Sequence, residues 1–432
     1  MRSIRSRTAG PGAPSNPPAR GAGRPCESSR SGAVAVAVLI AAVAVAARAQ
    51  AAESDRAAGV EIHGFVSQGV IKSSDNNYLA SSARGSFEFS EIGLNFTRRL
   101  TERLRFGAQL FSRDLGPLGN YTARLDWYYL DYRFRDWLGV RAGRTKLPFG
   151  LYNELNDIDS ARVPILLPQS IYPITSRDFL LAATGVELYG YVSLGAGGAL
   201  DYRLYGGTIF TDVNNRLTSP TRIANFENPY VVGGRVLWET PINGLRVGTS
   251  VQALRFDFDL VYSADAAAQL RGAGLVSADF DGVLHLKLPA ILSVGSIEFA
   301  ARDFLLAAEY SIWRATFTST PKVAGLEPTS ERQRLSERMY VMANYRLRTW
   351  FWPGLYYSLF FPRMDRRTPR DAHQHDVAAT ARFDLNSFWL IKLEAHYMQG
   401  TAGLDPVLND DTPISQLTRQ WVVVLAKTTL SF

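Results

Sequence analysis

The chain has 432 residues, a formal net charge of +7 and one cysteine, Cys26. Residues 1–49 hold seven arginines and one glutamate, so they carry +6 of that charge and leave +1 for the rest of the chain. The charge therefore gives no support to nucleic-acid binding, and residues 50–432 have no thiol for a disulfide, a metal or a nucleophile.

The first 49 residues have the order of a secretory signal. An arginine-rich region precedes the apolar run 33–47, which is followed by a small-residue site, either Ala47-Arg48-Ala49 or Ala49-Gln50-Ala51. A membrane anchor is the alternative, but the run is shorter than the roughly 18 apolar residues that a spanning helix needs. We therefore predict a signal peptide with an extended basic region over 1–49 and a short periplasmic N-terminus over 50–60.

From residue 61 onward, polar and apolar residues alternate in about sixteen segments of strand length. The apolar face changes sides near Leu254 and Ile297, which predicts β-bulges there. The predicted strands are 61–73, 86–99, 103–114, 121–134, 137–147, 184–194, 199–210, 229–239, 245–260, 291–301, 304–317, 336–349, 354–363, 373–385, 388–399 and 419–432.

The connections between these strands alternate in length. Those after even-numbered strands are short, such as 135–136, whereas most after odd-numbered strands are long, such as 261–290. Short turns at one rim and long loops at the other are typical of outer-membrane barrels, in which the short turns are periplasmic. We therefore predict an all-β fold, a single transmembrane antiparallel β-barrel of about sixteen strands over 61–432. A barrel of that size is too wide for side chains to fill, so its interior should be wet.

The stretch 143–185 interrupts the alternation with four prolines and many apolar residues. Its length indicates a functional or a disordered connection, and the apolar content argues against disorder. We predict that about 148–183 is a third extracellular loop that folds into the barrel and narrows the pore. The predicted constriction-loop residues are Glu154, Asp157, Asp159, Arg162 and Arg177.

Inward positions of the predicted strands carry more basic than acidic residues, and a cationic wall attracts anions. The acids of the loop should face the arginines of the third to fifth strands and set up a transverse field. Two alternatives are that the wall charges pair across strands and only hydrate the interior, and that the acids pin the loop to the wall. The predicted pore-lining basic residues are Arg105, Arg113, Arg124, Arg141, Lys146, Arg203, Arg382 and Lys392.

Two aromatic clusters flank predicted short turns. Aromatic residues at one rim are typical of the interfacial girdle of a membrane barrel. A lumenal track for sugars or aromatic solutes is the alternative, and we favour the girdle. The clusters comprise Trp127, Tyr128, Tyr129, Tyr132, Phe134 and Trp137 at one turn, and Trp350, Phe351, Trp352, Tyr356 and Tyr357 at the other.

The last predicted strand resembles the C-terminal strand of bacterial outer-membrane barrels, which ends in Phe as this chain does at Phe432. That residue is read by the barrel-assembly machinery in those proteins, so the resemblance implies the same role for Phe432. Residues 63–69 and 73–79 resemble the first strand and loop of Gram-negative porin-like proteins.

A second resemblance concerns residues 143–151, Gly-Arg-Thr-Lys-Leu-Pro-Phe-Gly-Leu. They resemble the motif that leads into the inward loop of the phosphate-selective porin O/P-like group. Membership of that group would imply a sixteen-stranded, trimeric channel. Phosphate selectivity is not implied, because the phosphate channels of the group use clustered lumenal lysines and the lysines here are scattered.

A search for catalytic chemistry finds little. No spacing predicts a catalytic residue or a cofactor site, and Gly195-Ala196-Gly197-Gly198 lacks the full dinucleotide pattern. His373 and His375 are close in sequence and could hold a metal, but a solvated loop fits that stretch better. We therefore predict no catalytic, cofactor or metal site.

We predict an outer-membrane porin, not an enzyme, through which small hydrophilic solutes diffuse passively with a weak preference for anions. The expected partners are those solutes, outer-membrane lipid, the barrel-assembly machinery and further copies in a homotrimer, without nucleic acid. The predicted location is the bacterial outer membrane. The alternatives are a substrate-selective uptake channel for phosphate or organic acids, an outer-membrane barrel hydrolase, and a non-conducting structural or adhesive barrel.

Overall fold

The computed structural model describes residues 59–210, 217–218, 221–321, 334–409, 412–413 and 416–432. The predicted signal peptide and residues 50–58 of the predicted periplasmic N-terminus lie outside the described residues.

The described residues form sixteen long strands, and two short pieces, Leu217–Thr218 and Thr318–Thr320, extend the sheet. The long strands are β1 (Val60–Ser73), β2 (Phe89–Arg99), β3 (Leu104–Leu115), β4 (Arg124–Arg135), β5 (Leu138–Lys146), β6 (Ala182–Ser193), β7 (Ala199–Thr208), β8 (Thr221–Glu239), β9 (Leu245–Tyr262), β10 (Val283–Ala301), β11 (Phe304–Ala315), β12 (Arg334–Tyr345), β13 (Phe351–Phe361), β14 (Gln374–Asp384), β15 (Trp389–Gly400) and β16 (Gln420–Ser431).

The sheet is closed by its first and last strands. Gln68 of β1 lies opposite Ser90 of β2 on one side and Thr428 of β16 on the other. Beyond the end of β16, the backbones of Phe432 and Gly64 exchange two hydrogen bonds of 2.9 and 3.0 Å. A sheet closed in this way has no free edge. The structure is a closed antiparallel β-barrel of sixteen strands, which confirms the predicted fold.

The two rims of the barrel differ as predicted. Connections at one rim are short, as at 136–137, and those at the other are longer, as at 147–181. β8 begins at Thr221 and β10 at Val283, both well before their predicted starts. The β9–β10 ladder includes Pro289. Proline has no backbone N–H to donate to a neighbouring strand, so its presence in the sequence argues against a strand at this position.

In the described ranges, helical structure is confined to the connections between strands. The described part of the chain contains two α-helices, α1 (Arg177–Leu180) after β5 and α2 (Ala264–Gly272) after β9. Ser263 caps α2, accepting a hydrogen bond from the Ala266 N–H. Within the described ranges, neither helix has the length and apolar character of a membrane-spanning helix.

Apolar side chains face outward and charged side chains face inward. On β15, Leu393 and Tyr397 are each 47% exposed, whereas the alternating Lys392 and Glu394 are 0% and 3% exposed. Val424 on β16 is likewise exposed on the outer surface. A soluble barrel has the opposite arrangement, so this outer surface is suited to lipid.

One of the two predicted bulges is present. The β8–β9 ladder shifts register on both sides of Asp257, close to the predicted position at Leu254. The prediction near Ile297 is wrong, because both ladders of β10 run in register through that residue. Leu292 and Val294 are apolar side chains that are buried inside the barrel. In the sequence, these inward apolar residues look as if the apolar face of the strand had moved from one side to the other.

The aromatic clusters divide between the two faces of the barrel. Phe134, Trp137 and Trp350 are exposed near short turns, as an interfacial girdle requires. Tyr356 is buried inside, and the Trp352 ring lies 5.6 Å from the guanidinium carbon of an inward arginine, Arg382. The girdle prediction is therefore wrong for these inward members, because residues that alternate along a strand point to opposite faces.

Candidate functional site

Residues 147–181 connect β5 to β6 and lie inside the barrel, and we call them the lumen segment. The backbone N–H of Ile165 donates to Glu394 of β15 at 2.6 Å. The hydroxyl of Tyr152 donates to Glu298 of β10, also at 2.6 Å. Polar contacts of the segment reach the inner faces of β3–β5 and β7–β16. The segment is therefore attached to the wall on every side of the barrel.

The motif at residues 143–151 turns the chain from the wall into the lumen. Phe149 is buried and packs edge-on against Trp313 of β11, with 6.3 Å between ring centres. Gly150 has φ +61°, and a Cβ at this position would lie 2.4 Å from the Tyr172 hydroxyl. The turn therefore requires glycine, since a side chain would be strained and would also clash.

Asp159 is a buried carboxylate held by three cations. Its oxygens lie 2.8 Å from Nζ of Lys427, 3.7 Å from Nζ of Lys392 and 2.9 Å from Nη2 of Arg162. Burial opposes ionisation, but these positive charges outweigh it and hold the pKa of Asp159 well below its usual range. Glu91 of β2 provides a second carboxylate for Lys427 at 2.5 Å. The charged group pins the middle of the lumen segment to the last two strands.

Asp157 forms a second anchor on the other side of the barrel. It lies 2.8 Å from Nη2 of Arg177 in α1 and 3.1 Å from Nζ of Lys146 at the end of β5. Arg177 also donates to both carboxylate oxygens of Asp126 on β4, at 3.0 and 2.7 Å. Burial raises the pKa of Asp157, but the charges of Arg177 and Lys146 outweigh it and the pKa is lowered.

Glu154 forms a third anchor, facing β7 and β8. Its two oxygens lie 2.5 Å from Arg203 and 3.2 Å from Arg235. Burial favours the neutral acid, but the two guanidinium groups outweigh it and lower the pKa of Glu154. These three acids of the lumen segment are therefore ionised at neutral pH and committed to wall cations.

Glu309 on β11 is an anchor that the sequence analysis missed. It accepts hydrogen bonds from the Leu151 backbone N–H at 2.9 Å and from the hydroxyls of Tyr172 and Tyr340. The hydroxyl of Ser296 also donates to it, at 2.5 Å. The sequence does offer a signal, because Glu309 is an acid among mostly apolar residues at the inward positions of its strand. A buried acid requires hydrogen-bond partners, which here come from elsewhere in the chain.

Apolar side chains of the lumen segment pack between these anchors. Leu167 and Ile171 belong to one buried cluster that includes Met342 of β12. Ile165 belongs to another that includes Trp421 of β16. The prediction of a wet interior is therefore wrong at this level, because the segment brings its own apolar residues into contact with the wall.

All eight predicted pore-lining basic residues have carboxylate partners. Asp131 lies 2.9 Å from Arg105 and 3.3 Å from Arg141. Asp178 of α1 lies 3.6 Å from Arg113 and 3.4 Å from Arg124. Arg382 pairs with Asp384 at 2.8 Å, and Lys146, Arg203 and Lys392 pair with the three loop acids described above.

The predicted transverse field is therefore wrong in its partners. The acids at 154, 157 and 159 do not pair with the arginines of β3–β5. Asp157 contacts a lysine there instead, Lys146 at the end of β5. The physical reason is that those arginines are already neutralised by wall acids and by α1. Both alternatives of the sequence analysis describe the contacts better, since wall charges pair and the loop acids pin the segment.

In three pairs near the ends of the inner wall, the cation faces the solvent more than its carboxylate does. Arg105 has a side chain that is 44% exposed, against 7% for Asp131. Arg246 is 40% exposed, against 4% for Glu298. Both arginines lie at the short-turn end of their strands, and Arg124 at the long-loop end is also more exposed than its partner. The more exposed charge of these three pairs is therefore positive, whereas it is negative in the pairs Arg382–Asp384 and Arg235–Asp201.

The histidine pair proposed as an alternative metal site has other contacts. The rings of His373 and His375 lie 5.4 Å apart. Nδ1 of His373 faces the Arg367 carbonyl at 3.1 Å, and Nδ1 of His375 faces the Tyr357 hydroxyl at 2.7 Å. In the part of the chain that the structure describes, no group of His, Cys, Asp and Glu has the arrangement of a metal site.

Comparisons with known proteins identify the fold. Neither a protein-family model nor a curated protein matches the sequence. Among solved structures, the anion-selective porin from Comamonas acidovorans has a TM-score of 0.54 at 13% identity, over 86% of this chain and 99% of that one. The trimer form of the Vibrio cholerae outer membrane protein OmpT has a TM-score of 0.52 at 10% identity, over 86% and 99%. OmpF of Salmonella typhi, in complex with daunomycin, has a TM-score of 0.50 at 13% identity, over 86% and 97%.

The fold and the outer surface agree on the location. The similar structures are outer-membrane proteins and porins, and at these identities they show the fold alone. The outward side chains of this chain form the apolar surface that such a barrel needs in lipid. The location is the bacterial outer membrane, as predicted. The narrower resemblance to the phosphate-selective group stays a prediction.

Proposed function

We propose that the protein is an outer-membrane porin through which small hydrophilic solutes diffuse passively, with the lumen segment as its constriction. The observation that supports this most is the attachment of a long inward segment to the inner faces around the barrel. Solutes that cross such a barrel have to pass between the segment and the wall, beside paired charges. A narrow, polar route passes small hydrated solutes and excludes large apolar ones.

The proposed preference is for anions, and it is weak. Exposed guanidinium groups at Arg105, Arg124 and Arg246 raise the local concentration of anions at both entrances. Other pairs reduce the effect, since the Arg235 side chain is 10% exposed and its partner Asp201 is 32% exposed. One of the similar structures is an anion-selective porin, which is consistent with the proposal.

The proposal does not extend to a phosphate site. The inward lysines Lys392 and Lys427 are buried and committed to Asp159. Lys146 is committed to Asp157 and to the Glu154 carbonyl. A free phosphate would have to displace these carboxylates, which also hold the lumen segment in place.

We also propose that the protein works as a homotrimer. The support is that a structure of the same fold, OmpT of Vibrio cholerae, has a trimer form. Electrophoresis of unheated and heated samples, together with the mass in detergent, tests this state. A mass of one chain in mild detergent would contradict it. The role of Phe432 with the barrel-assembly machinery stays a prediction.

Single-channel recording in planar bilayers tests the proposed function. Purified protein in a potassium chloride gradient should give discrete conductance steps and a reversal potential on the chloride side of zero. A barrel that inserts but conducts no ions would contradict the proposal. Hydrolytic activity in such a preparation, lost on replacing a single Ser or Asp, would favour a barrel hydrolase instead.

A further inference from the structure

Arg338 of β12 points into the barrel on the long-loop side of the lumen segment, between two aromatic rings. Its guanidinium carbon lies 3.5 Å from the ring centre of Trp313 on β11 and 4.3 Å from that of Phe360 on β13. Nη1 donates to the Ser170 carbonyl at 2.9 Å, and Nε donates to the Ser336 hydroxyl at 3.2 Å. Stacking on both faces and two hydrogen bonds fix the plane of the group.

Arg338 lacks a carboxylate partner of the kind that several other arginines inside the barrel have. Arg113, Arg177 and Arg235 each lie within 3.6 Å of a carboxylate oxygen. Within the described ranges no carboxylate pairs with Arg338, and its Nη2 has no hydrogen-bond partner. A guanidinium enclosed by two rings has lost much of its water, so an unpaired positive charge at this place is unfavourable. A bound anion would supply the missing partner and accept from the open edge of the guanidinium.

Arg338 is one of the residues that line a cavity of about 410 Å³ between the lumen segment and the long-loop rim. Polar side chains near the arginine include Gln169 and Ser358, and apolar ones include Phe179 and Leu404. Cavities of about 300–1,000 Å³ are typical of small-molecule sites. The cavity therefore joins one unpaired cation, neutral polar groups and an apolar wall.

Acidic residues also border the cavity, and one of them is clearly engaged elsewhere. Oδ1 of Asp376 faces Nδ1 of the buried His396 at 2.9 Å. Asp405, at the rim, also has an interaction partner. The cavity therefore contains a cationic end at Arg338 and two acids, and in the described part of the chain Oδ2 of Asp376 is buried without a hydrogen-bond partner.

We propose that this cavity binds a small organic anion, a carboxylate with an apolar body, before it passes the lumen segment. The carboxylate accepts from the open edge of Arg338, and the apolar body packs against Phe179 and Leu404. The inference rests on the proposed function, because the cavity lies on the side from which solutes would enter. The proposed site adds a step in which one chemical class of solute is bound. The route would otherwise have only a weak preference for anions. Binding itself does not require conduction.

Calorimetric titration of the purified full-length protein in detergent tests the site. Hexanoate combines a carboxylate with an alkyl chain, hexanamide keeps the shape without the charge, and acetate keeps the charge without the chain. Hexanoate should bind saturably, and hexanamide and acetate should each bind at least about tenfold more weakly. Arg338→Gln should weaken hexanoate binding at least about tenfold. Arg363→Gln is the matched control, because Arg363 pairs with Asp365 on an exposed loop.

Several outcomes would overturn the inference. They are no saturable hexanoate binding to the wild-type protein, equal binding of hexanoate and hexanamide, and unchanged binding in Arg338→Gln. The comparison of ligands uses only the wild-type protein, so a variant that fails to fold does not remove the test. If the wild-type protein binds hexanoate as expected but conducts no ions, the proposed function fails and this site stands.

Discussion

Nζ of Lys427 lies 2.8 Å from Oδ2 of Asp159, so the last strand of the barrel is joined to the middle of the lumen segment. Asp159→Asn should therefore destabilise the protein. Removing one partner of a buried ion pair lowers the free energy of unfolding by about 3–5 kcal/mol. Here Lys392 also loses the negative charge that it faces. Chemical unfolding in detergent measures the loss. Asp365→Asn, at an exposed pair with Arg363, is the control, and we expect a loss below about 1 kcal/mol. Equal losses in the two variants would contradict the anchor.

Neutralising the exposed wall arginines should change ion selectivity. Arg105→Gln and Arg246→Gln together should lower the ratio of chloride to potassium permeability by about twofold, since they remove charge that faces the entrance. Arg113 is buried and paired, so Arg113→Gln should lower stability and leave the ratio unchanged. Reversal potentials in a salt gradient measure both. A larger shift in Arg113→Gln than in the double variant would be incompatible with this account.

Removing the hydroxyl of Tyr172 should loosen the lumen segment. Tyr172→Phe deletes one of the donors to the buried carboxylate of Glu309 and also removes the acceptor of the Tyr152 backbone N–H, and a buried donor left without a partner costs about 1–3 kcal/mol. Tyr310→Phe removes a hydroxyl that bonds Glu337 on the outer surface, and we expect a loss below about 0.5 kcal/mol. Thermal unfolding followed by circular dichroism compares the two. A loss in Tyr310→Phe as large as in Tyr172→Phe would refute the role of Glu309.

Two aspartates of the lumen segment should make the stability of the protein fall in acid. Asp157 and Asp159 have lowered pKa values in the folded protein, below the value of about 3.9 for an unfolded aspartate. Their stabilisation is complete above the unfolded pKa and is lost as the pH falls through that value toward the folded ones. Unfolding temperatures should be constant from about pH 7 to about pH 5 and fall below that range. The Asp157→Asn, Asp159→Asn double variant should lose stability less steeply in acid, and an unchanged slope would show that other groups are responsible.

The strands could be predicted well because lipid imposes a simple period-2 pattern on the outer surface. The first strand, predicted at 61–73, is Val60–Ser73, and the last, predicted at 419–432, is Gln420–Ser431. The prediction was less accurate where the inner face is apolar. Leu292 and Val294 look lipid-facing in the sequence but pack against the lumen segment.

The contacts in the lumen could not be predicted from spacing. Asp159 accepts a hydrogen bond from the hydroxyl of Thr429, 270 residues further along the chain. The sequence identifies the acids of the lumen segment and the cations of the wall, but not which of them meet. Their pairing depends on the path of the segment across the barrel, which is set by local turns such as that at Gly150.

The central claim is that the lumen segment constricts the channel. Replacing residues 156–169 with a short Gly-Ser linker removes the Asp157 and Asp159 anchors and the buried apolar residues Ile165 and Leu166. Single-channel conductance of this variant, compared with that of the wild-type protein in the same salt, is the most direct measurement. Removing the constriction should raise the conductance several-fold. An unchanged conductance in a folded variant would show that the lumen segment does not constrict the channel.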